Sequence, residues 1–206
     1  IIRVKTKHHL GVTHKGPDFE LNVTDASILN IEDLEDKFIL TSGGLTLEVT
    51  KNPFSLVYKR DGEILTKGND LACVKEDWHG YYYDLDGDTK NTYMTQSLGL
   101  SVGELVYGLG ERFTAFTKNG QNVEIWNEDG GTNTQISYKN IPFYITNKGY
   151  GVLVNHPEKV SFEVGSELVT KVGFSVEGNE LDYFVINGPS MKDVLMRYSL
   201  SSQTKT

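Results

Sequence analysis

The stretch Trp126-Asn127-Glu128-Asp129-Gly130-Gly131-Thr132 holds the residue types best suited to chemistry. An indole supplies an apolar face, an amide and two carboxylates supply hydrogen-bond partners, and two glycines permit a sharp loop after the alternating Val123 and Ile125. The surrounding region, 107 to 157, repeats the mixture: Tyr107, Phe113, Phe116, Tyr138, Phe143 and Tyr144 interleave with Glu111, Arg112, Glu124 and Lys139. Such combinations suit sugars, whose C–H faces pack on aromatic rings while their hydroxyls need carboxylate, amide or guanidinium partners. They also suit an aromatic-rich sandwich core and an Asx-rich turn, so the residues alone leave sugar contact and packing both open.

Other chemical readings fail on spacing. Gly108-Leu109-Gly110-Glu111-Arg112-Phe113 begins like a dinucleotide fingerprint, but Phe113 replaces the third glycine and no βαβ periodicity follows. Asp84-Leu85-Asp86-Gly87-Asp88 evokes a calcium loop, yet the glycine falls early and Thr95 stands where the bidentate glutamate belongs, which favours a hairpin turn. His8 and His9 on a strand would point to opposite faces, so with His14 they read as solvated side chains rather than metal ligands. Cys73 has no flanking nucleophile motif and reads as a small buried hydrophobe. Asn22-Val23-Thr24 is a formal glycosylation sequon with no secretory signal before it.

The elements that must position the loop are strands. Leu45, Leu47 and Val49 alternate with Thr46, Glu48 and Thr50, and Phe54, Leu56 and Tyr58 alternate with Ser55, Val57 and Lys59. Ser42-Gly43-Gly44 and Asp61-Gly62 supply the turns, making 38–66 a meander. Tyr81-Tyr82-Tyr83, Asp86-Gly87 and Tyr93-Met94 predict a second hairpin. Phe162 and Val164, Phe174 and Val176, then Leu181, Tyr183 and Val185 predict further strands around Gly165-Ser166 and Gly178-Asn179. Met191, Val194, Leu195 and Tyr198 share a helical face after Pro189, with Ser190 and Asp193 as a capping box and Asp193–Arg197 as an i, i+4 pair. The apolar face of that helix is expected to pack against something, with a following domain as its candidate partner. Many short strands with one helix indicate an all-β antiparallel sandwich.

Composition narrows the function classes. The 206 residues carry a formal charge of −8 and 38% apolar residues; a chain of that length buries roughly 70% of its unfolded surface. One cysteine permits no intrachain disulfide and no thiolate zinc site, which points to a reducing, cytoplasmic setting. The acidic balance and scattered Lys and Arg argue against nucleic acid. No apolar run approaches the roughly 20 residues of a membrane helix, so no membrane partner is expected. The ends, Ile1-Ile2-Arg3 and Thr204-Lys205-Thr206, read as cut from a longer protein.

Beyond these general signals, the chain resembles the N-terminal, galactose-mutarotase-like β-sandwich (supersandwich) domain of glycoside hydrolase family 31, nearest its bacterial α-xylosidase branch. The likeness is carried by Tyr107-Gly108-Leu109-Gly110-Glu111-Arg112-Phe113, Gly120-Gln121, Trp126 through Thr132, Ser137-Tyr138-Lys139-Asn140-Ile141-Pro142-Phe143-Tyr144, Gly149-Tyr150-Gly151-Val152 and Val154-Asn155-His156-Pro157. It continues through Ser161-Phe162-Glu163-Val164-Gly165-Ser166-Glu167 and, more weakly, through His8-His9, Pro17-Asp18-Phe19-Glu20 and Leu181 to Ile186 with Gly188-Pro189.

The resemblance implies a parent α-xylosidase or α-glucosidase that cleaves with retention, using two carboxylates on a (β/α)₈ barrel. No Lys-x-Asp-x-Gly-Glu segment of the kind that carries the family's nucleophile occurs here, so no catalytic residue is assigned and the isolated domain is expected to be inactive. In the family a loop of this domain lines the sugar subsite, with an Asp following an Asn-x pair. Asp129 after Asn127-Glu128 matches that position, with Trp126 shaping the wall and Gly130-Gly131 allowing the loop. Glu111 and Arg112 read as an ion pair supporting it. No metal or organic cofactor is implied. Residues 1–188 form the sandwich on this reading, and 189–206 the helix and the start of a linker to the barrel. The parent's assembly, homo-oligomer included, is left open. Three alternatives stand beside it: a free-standing carbohydrate-binding module, a structural module, and a mutarotase, which needs a positioned acid and base for which His79 and His156 are the histidine candidates outside the N-terminal cluster.

Overall fold

The computed structural model describes residues 1–11, 29–75, 92–129 and 134–202. Their architecture is three five-stranded antiparallel sheets and one helix. The predicted meander forms one sheet in simple order: β2 (Leu29–Asp33), β3 (Lys37–Ser42), β4 (Leu45–Thr50), β5 (Ser55–Arg60) and β6 (Glu63–Gly68). Its β5–β6 turn is the two-residue Asp61-Gly62, where φ is 50° and 88°. Two successive positive φ angles match the right-handed twist of the strands they join, and Asp-Gly tolerates both.

The remaining strands make the two sheets of the sandwich proper. One runs β1 (Ile2–Lys7), β15 (Glu180–Asn187), β12 (Tyr150–Val154), β11 (Phe143–Thr146) and β9 (Val106–Gly108). The other runs β10 (Gln121–Ile125), β13 (Val160–Val164), β14 (Lys171–Glu177), β8 (Thr92–Gly99) and β7 (Ala72–Lys75). In β8 alternate residues Thr92, Met94, Gln96 and Leu98 are buried, the period of a strand with one face on a core. The predicted strands at 162–185 all form. Of the second hairpin only its 92–94 end is described; it begins β8, which pairs with β7 and β14, while Tyr81 to Asp88 lie outside the described residues.

Inward-facing residues of all three sheets meet in one main core, among them Leu45 and Tyr58, Leu98, Phe162 and Phe174, and Tyr144 and Tyr183. The Tyr58 and Tyr183 hydroxyls bond each other at 3.0 Å across the meander and the sandwich. Burial raises both phenols, Tyr183 to about 12 and Tyr58 well above its ordinary value. Arg60 pins the same junction by donating to the carbonyls of Gly149 at 3.1 Å, Gly188 at 2.6 Å and Lys148 at 3.0 Å.

Strands β12 and β15 are buried on both faces, because the sheet they share is covered twice. Its outer face carries Phe143, Ile145, Leu153, Phe184 and Ile186, over which α1 (Met191–Ser202) lays Met191, Val194 and Tyr198. Tyr198 stacks on Phe143 with ring centres 4.2 Å apart. The helix therefore packs on its own domain. Leu195 faces away, at 48% exposure, because a side chain one residue past Val194 is rotated about 100° from the covered stripe. The capping box forms: Asp193 N donates to Ser190 Oγ at 3.3 Å and Ser190 N donates to Asp193 Oδ2 at 3.1 Å. The expected Asp193–Arg197 pair does not. Asp193 is spent on the cap, and Arg197 Nη1 donates to the Asn187 carbonyl, closing the end of β15.

Replacing Ser190 by Ala should cost about 1 kcal/mol and lower the melting temperature by about 2–4 °C; an unchanged melting curve would mean that packing alone holds α1. Acid should also weaken the fold. The hydrogen bond from Lys59 lowers the Glu48 carboxyl, and bonds from Lys5 and Lys7 lower Glu180 against its burial. Groups lowered on folding stabilise above their unfolded value and lose that contribution as pH falls through the folded one. Urea midpoints should therefore drop on acidification below about pH 4.5, and Glu48→Gln should flatten that slope.

Candidate functional site

The loop predicted to meet sugar is carried by the end of β10 and held from below by the turn after β9. In that turn Gly108, Leu109 and Gly110 all have positive φ, at 105°, 63° and 87°. The chain doubles against 139–143: Leu109 N donates to the Phe143 carbonyl at 2.9 Å and Glu111 N to the Lys139 carbonyl at 3.0 Å. A Cβ at Gly110 would collide with the Lys139 carbonyl. Close backbone approach thus explains the glycine pair that mimicked a cofactor loop.

Arg112 is the hub of the region. Its Nε donates to the Leu109 carbonyl at 3.0 Å, Nη1 to the Gln135 carbonyl at 2.7 Å, and Nη2 to both the Glu124 carbonyl and Asn140 Oδ1. Burial holds this guanidinium below its usual range, with the Glu124 charge opposing. The expected Glu111–Arg112 ion pair is corrected here. Four backbone and amide oxygens draw the Arg112 guanidinium inward, while the exposed Glu111 carboxylate reaches outward to Lys139 Nζ at 2.9 Å.

Asn140 carries the hub's reach to the loop. Its Nδ2 donates to the Trp126 carbonyl at 2.7 Å and to Asn127 Oδ1 at 3.0 Å, and its backbone N donates to Asn127 Oδ1 at 3.1 Å. Glu128 N donates to the Ser137 carbonyl at 3.0 Å, beside an isolated parallel bridge from Asn127 to Ser137. Thus Trp126 and Asn127 are fixed through the backbone and one amide oxygen. The structure brings Trp126, Asn127 and Asp129 into one ordered segment but gives them different surroundings. Asn127 turns its Oδ1 into the scaffold, the Trp126 side chain is 52% exposed, and Asp129 is exposed with no hydrogen bond or ion pair among the described residues. Gly130, Gly131 and Thr132 lie outside the described residues.

The aromatic region divides in two. Phe143 and Tyr144 are core, whereas Phe113, Phe116 and Tyr138 are 67%, 80% and 64% exposed around the hub. Phe116 leans on half-buried Tyr107 at 5.3 Å, and Lys139 Nζ sits 5.7 Å from the Tyr138 ring. Sequence reasoning gave no role to Ser137, Asn140 or Lys118. The buried Lys118 ammonium donates to Thr114 Oγ1 at 3.0 Å and to the Ala115 carbonyl at 2.8 Å, and burial, with Arg112 nearby, lowers it.

Elsewhere, His8 and His9 are exposed with ring centres 5.6 Å apart, and among the described residues no three His, Cys, Asp or Glu side chains gather to hold a metal ion. His14, His79, Asn22 and the Asp84–Asp88 motif lie outside the described residues, as does the Cys73 side chain. No helix among the described residues is long and apolar enough to cross a membrane. An exposed carboxylate and a half-exposed indole on a braced loop can offer hydrogen-bond acceptance and an apolar ledge to a polyol.

Known proteins resemble the chain in sequence and in fold. Residues 1–163 match the family profile described as the glycosyl hydrolase 31 N-terminal galactose mutarotase-like domain. The chain is 44% identical to an alpha-xylosidase of Emericella nidulans over 97% of its own length and 27% of that protein's. It is 42% identical to the alpha-xylosidase XylQ of Lactiplantibacillus pentosus, covering 97% of this chain and 25% of XylQ. It spans about a quarter of these curated relatives. A cycloalternan-forming enzyme of Listeria monocytogenes, solved with a pentasaccharide substrate, has the same fold, with a TM-score of 0.74 at 22% identity over 96% of this chain and 18% of that one. By its sequence and its sandwich, the chain belongs to the N-terminal galactose mutarotase-like domains of glycosyl hydrolase family 31.

Proposed function

We propose that this chain is the non-catalytic N-terminal domain of a retaining α-glycosidase of the α-xylosidase or α-glucosidase type. Its 126–129 segment closes one side of a sugar subsite whose catalytic groups sit on a separate (β/α)₈ barrel. The observation that carries the reading is the 44% and 42% identity to two alpha-xylosidases over 97% of the chain. Retaining cleavage needs two carboxylates about 5 Å apart on rigid supports, and the barrel supplies them. The contribution of this domain is binding. Asp129, exposed and uncommitted among the described residues, accepts hydrogen bonds from sugar hydroxyls. Trp126 packs against a C–H face. Asn127 holds the segment through Asn140 and lends its amide nitrogen to the subsite.

On this reading residues 1–188 are the sandwich, and 189–206 are the helix and the start of the linker to the barrel. The protein works in the cytoplasm, in keeping with its single cysteine. A second reading, a carbohydrate-binding module that grips sugar unaided, is favoured by the exposed rings of Phe113, Phe116 and Tyr138.

The test compares the parent enzyme with its Asp129→Ala variant on a chromogenic α-xyloside and the matching α-glucoside, with this chain alone as control. Loss of a hydrogen bond to a charged group should lower kcat/KM about ten- to a hundredfold with the melting temperature unchanged, and the chain alone should be inert. Unchanged kinetics would remove Asp129 from the subsite. Turnover by the isolated chain would overturn the non-catalytic assignment, and sugar affinity in the isolated chain would favour the binding module.

A further inference from the structure

Helix α1 carries more apolar surface than its own domain uses. Met191, Val194 and Tyr198 are spent on Phe143, Ile145, Leu153, Phe184 and Ile186 of the sheet beneath. At about 100° per residue, Met196 points nearly opposite that inner stripe. Leu200 lies beside Met196 one turn on, and Leu195 flanks it toward the sheet. Leu195, Met196 and Leu200 are 48%, 56% and 56% exposed, and together they form one apolar strip along the outer side of the helix.

The charges usual on such a side are scarce. A surface helix keeps charged and polar side chains opposite its buried stripe, whereas a helix apolar on several sides is covered on several sides. Asp193 is bound in the cap and Arg197 donates to the Asn187 carbonyl, which leaves Lys192 as the one uncommitted charge sequence provides between Met191 and Ser202. The last turn, where a cation would favour the helix dipole, has no basic residue.

The relatives indicate what covers the strip. The chain matches a domain described as N-terminal and spans 27% and 25% of two alpha-xylosidases, so in such proteins most of the sequence follows it. Helix α1 is the last element of the described residues and so stands next to that remainder. The size of the strip favours a tethered partner over a free one. Three half-exposed side chains fall well short of the about 800 Å² per partner that separate chains bury in a stable complex. A domain attached to the same chain needs less contact, because its tether holds it at about millimolar effective concentration.

We propose that Leu195, Met196 and Leu200 dock an apolar face of the barrel that follows this domain, so that α1 is packed between sandwich and barrel. The proposal rests on the reading of the chain as the N-terminal domain of an α-glycosidase. One helix would then position both halves of the subsite. Its inner side reaches β11 through the Tyr198–Phe143 stack, and β11 pairs with β9, from which the turn beneath the sugar loop departs.

Hydrogen exchange of the α1 amides, compared between the parent enzyme and this chain alone, tests the docking. The amides of 195–200 should exchange about tenfold or more slowly in the parent, at every enzyme concentration. Replacing Met196 and Leu200 together by Gln should leave the melting temperature of this chain unchanged, while removing the extra protection in the parent. If the substituted parent does not fold, the unsubstituted parent and the chain alone decide by themselves. Equal exchange in the two would overturn the proposal. So would protection that disappears when the parent is diluted to monomers, since a second copy would then be the occupant. Turnover of an α-xyloside and an α-glucoside by the same parent preparation separates the two readings. An active parent with equal exchange sinks the docking alone, whereas an inert parent with a protected helix sinks the glycosidase assignment and supports docking by the segment that follows.

Discussion

The guanidinium of Arg112 satisfies oxygens from Leu109, Glu124, Gln135 and Asn140, points that lie up to 28 residues from it along the chain. Every partner is neutral. Taking a cation out of water costs several kcal/mol, and the hydrogen bonds of a charged donor return about 1.5–3 kcal/mol each, so the hub holds only while the segments stay where they are. Those segments are irregular. Their carbonyls have no ladder to join, and buried carbonyls left unpaired are costly. Arg112 and Asn140 thus replace a sheet's regular bonding with a small number of side-chain donors, which lets a loop be both irregular and ordered.

That bracing rests on a layered support. The main core joins the meander to the sandwich through apolar contact and through the Tyr58–Tyr183 bond. The sheet containing β9 and β11 is buried on its outer face as well, by α1, so the strand edge from which the Gly108–Arg112 turn departs has little freedom to shift. Binding residues on loops need such rigid carriers to keep their geometry. The exposed Asp129 and Trp126 sit at the outermost end of this chain of supports, and Asn127 sits one step inside it.

Much of the architecture was legible in the sequence because it is local. Leu45 and Leu47 alternate with Thr46 and Glu48, Asp61-Gly62 fits a tight hairpin turn, and Ser190 with Asp193 spells a cap; each signal spans a few residues, and each formed. Signals that depend on distant partners were read less well. Glu111–Arg112 and Asp193–Arg197 looked like ion pairs by spacing, but the arginines found backbone carbonyls that no local pattern reveals. The division of the aromatics into core and surface likewise depends on which strands become neighbours, which the period-two pattern leaves open. The role of Ser137 and Asn140 was hidden for the same reason: their partners, 126–128, lie about ten residues away across a loop whose path only the fold defines.

Arg112 orders the loop bearing Trp126 and Asp129 through Asn140 and the Glu124 carbonyl. Native-state amide exchange in the Arg112→Lys variant tests it most directly, because lysine keeps the charge and loses the fork of donors. The reporters are the amides of Glu128 and Asn140, bonded to Ser137 and Asn127. They should exchange about ten- to a hundredfold faster, while core amides such as those of Val152 and Phe162 keep their protection. Unchanged exchange at Glu128 and Asn140 would contradict it, and would mean that the loop is held by something other than this guanidinium.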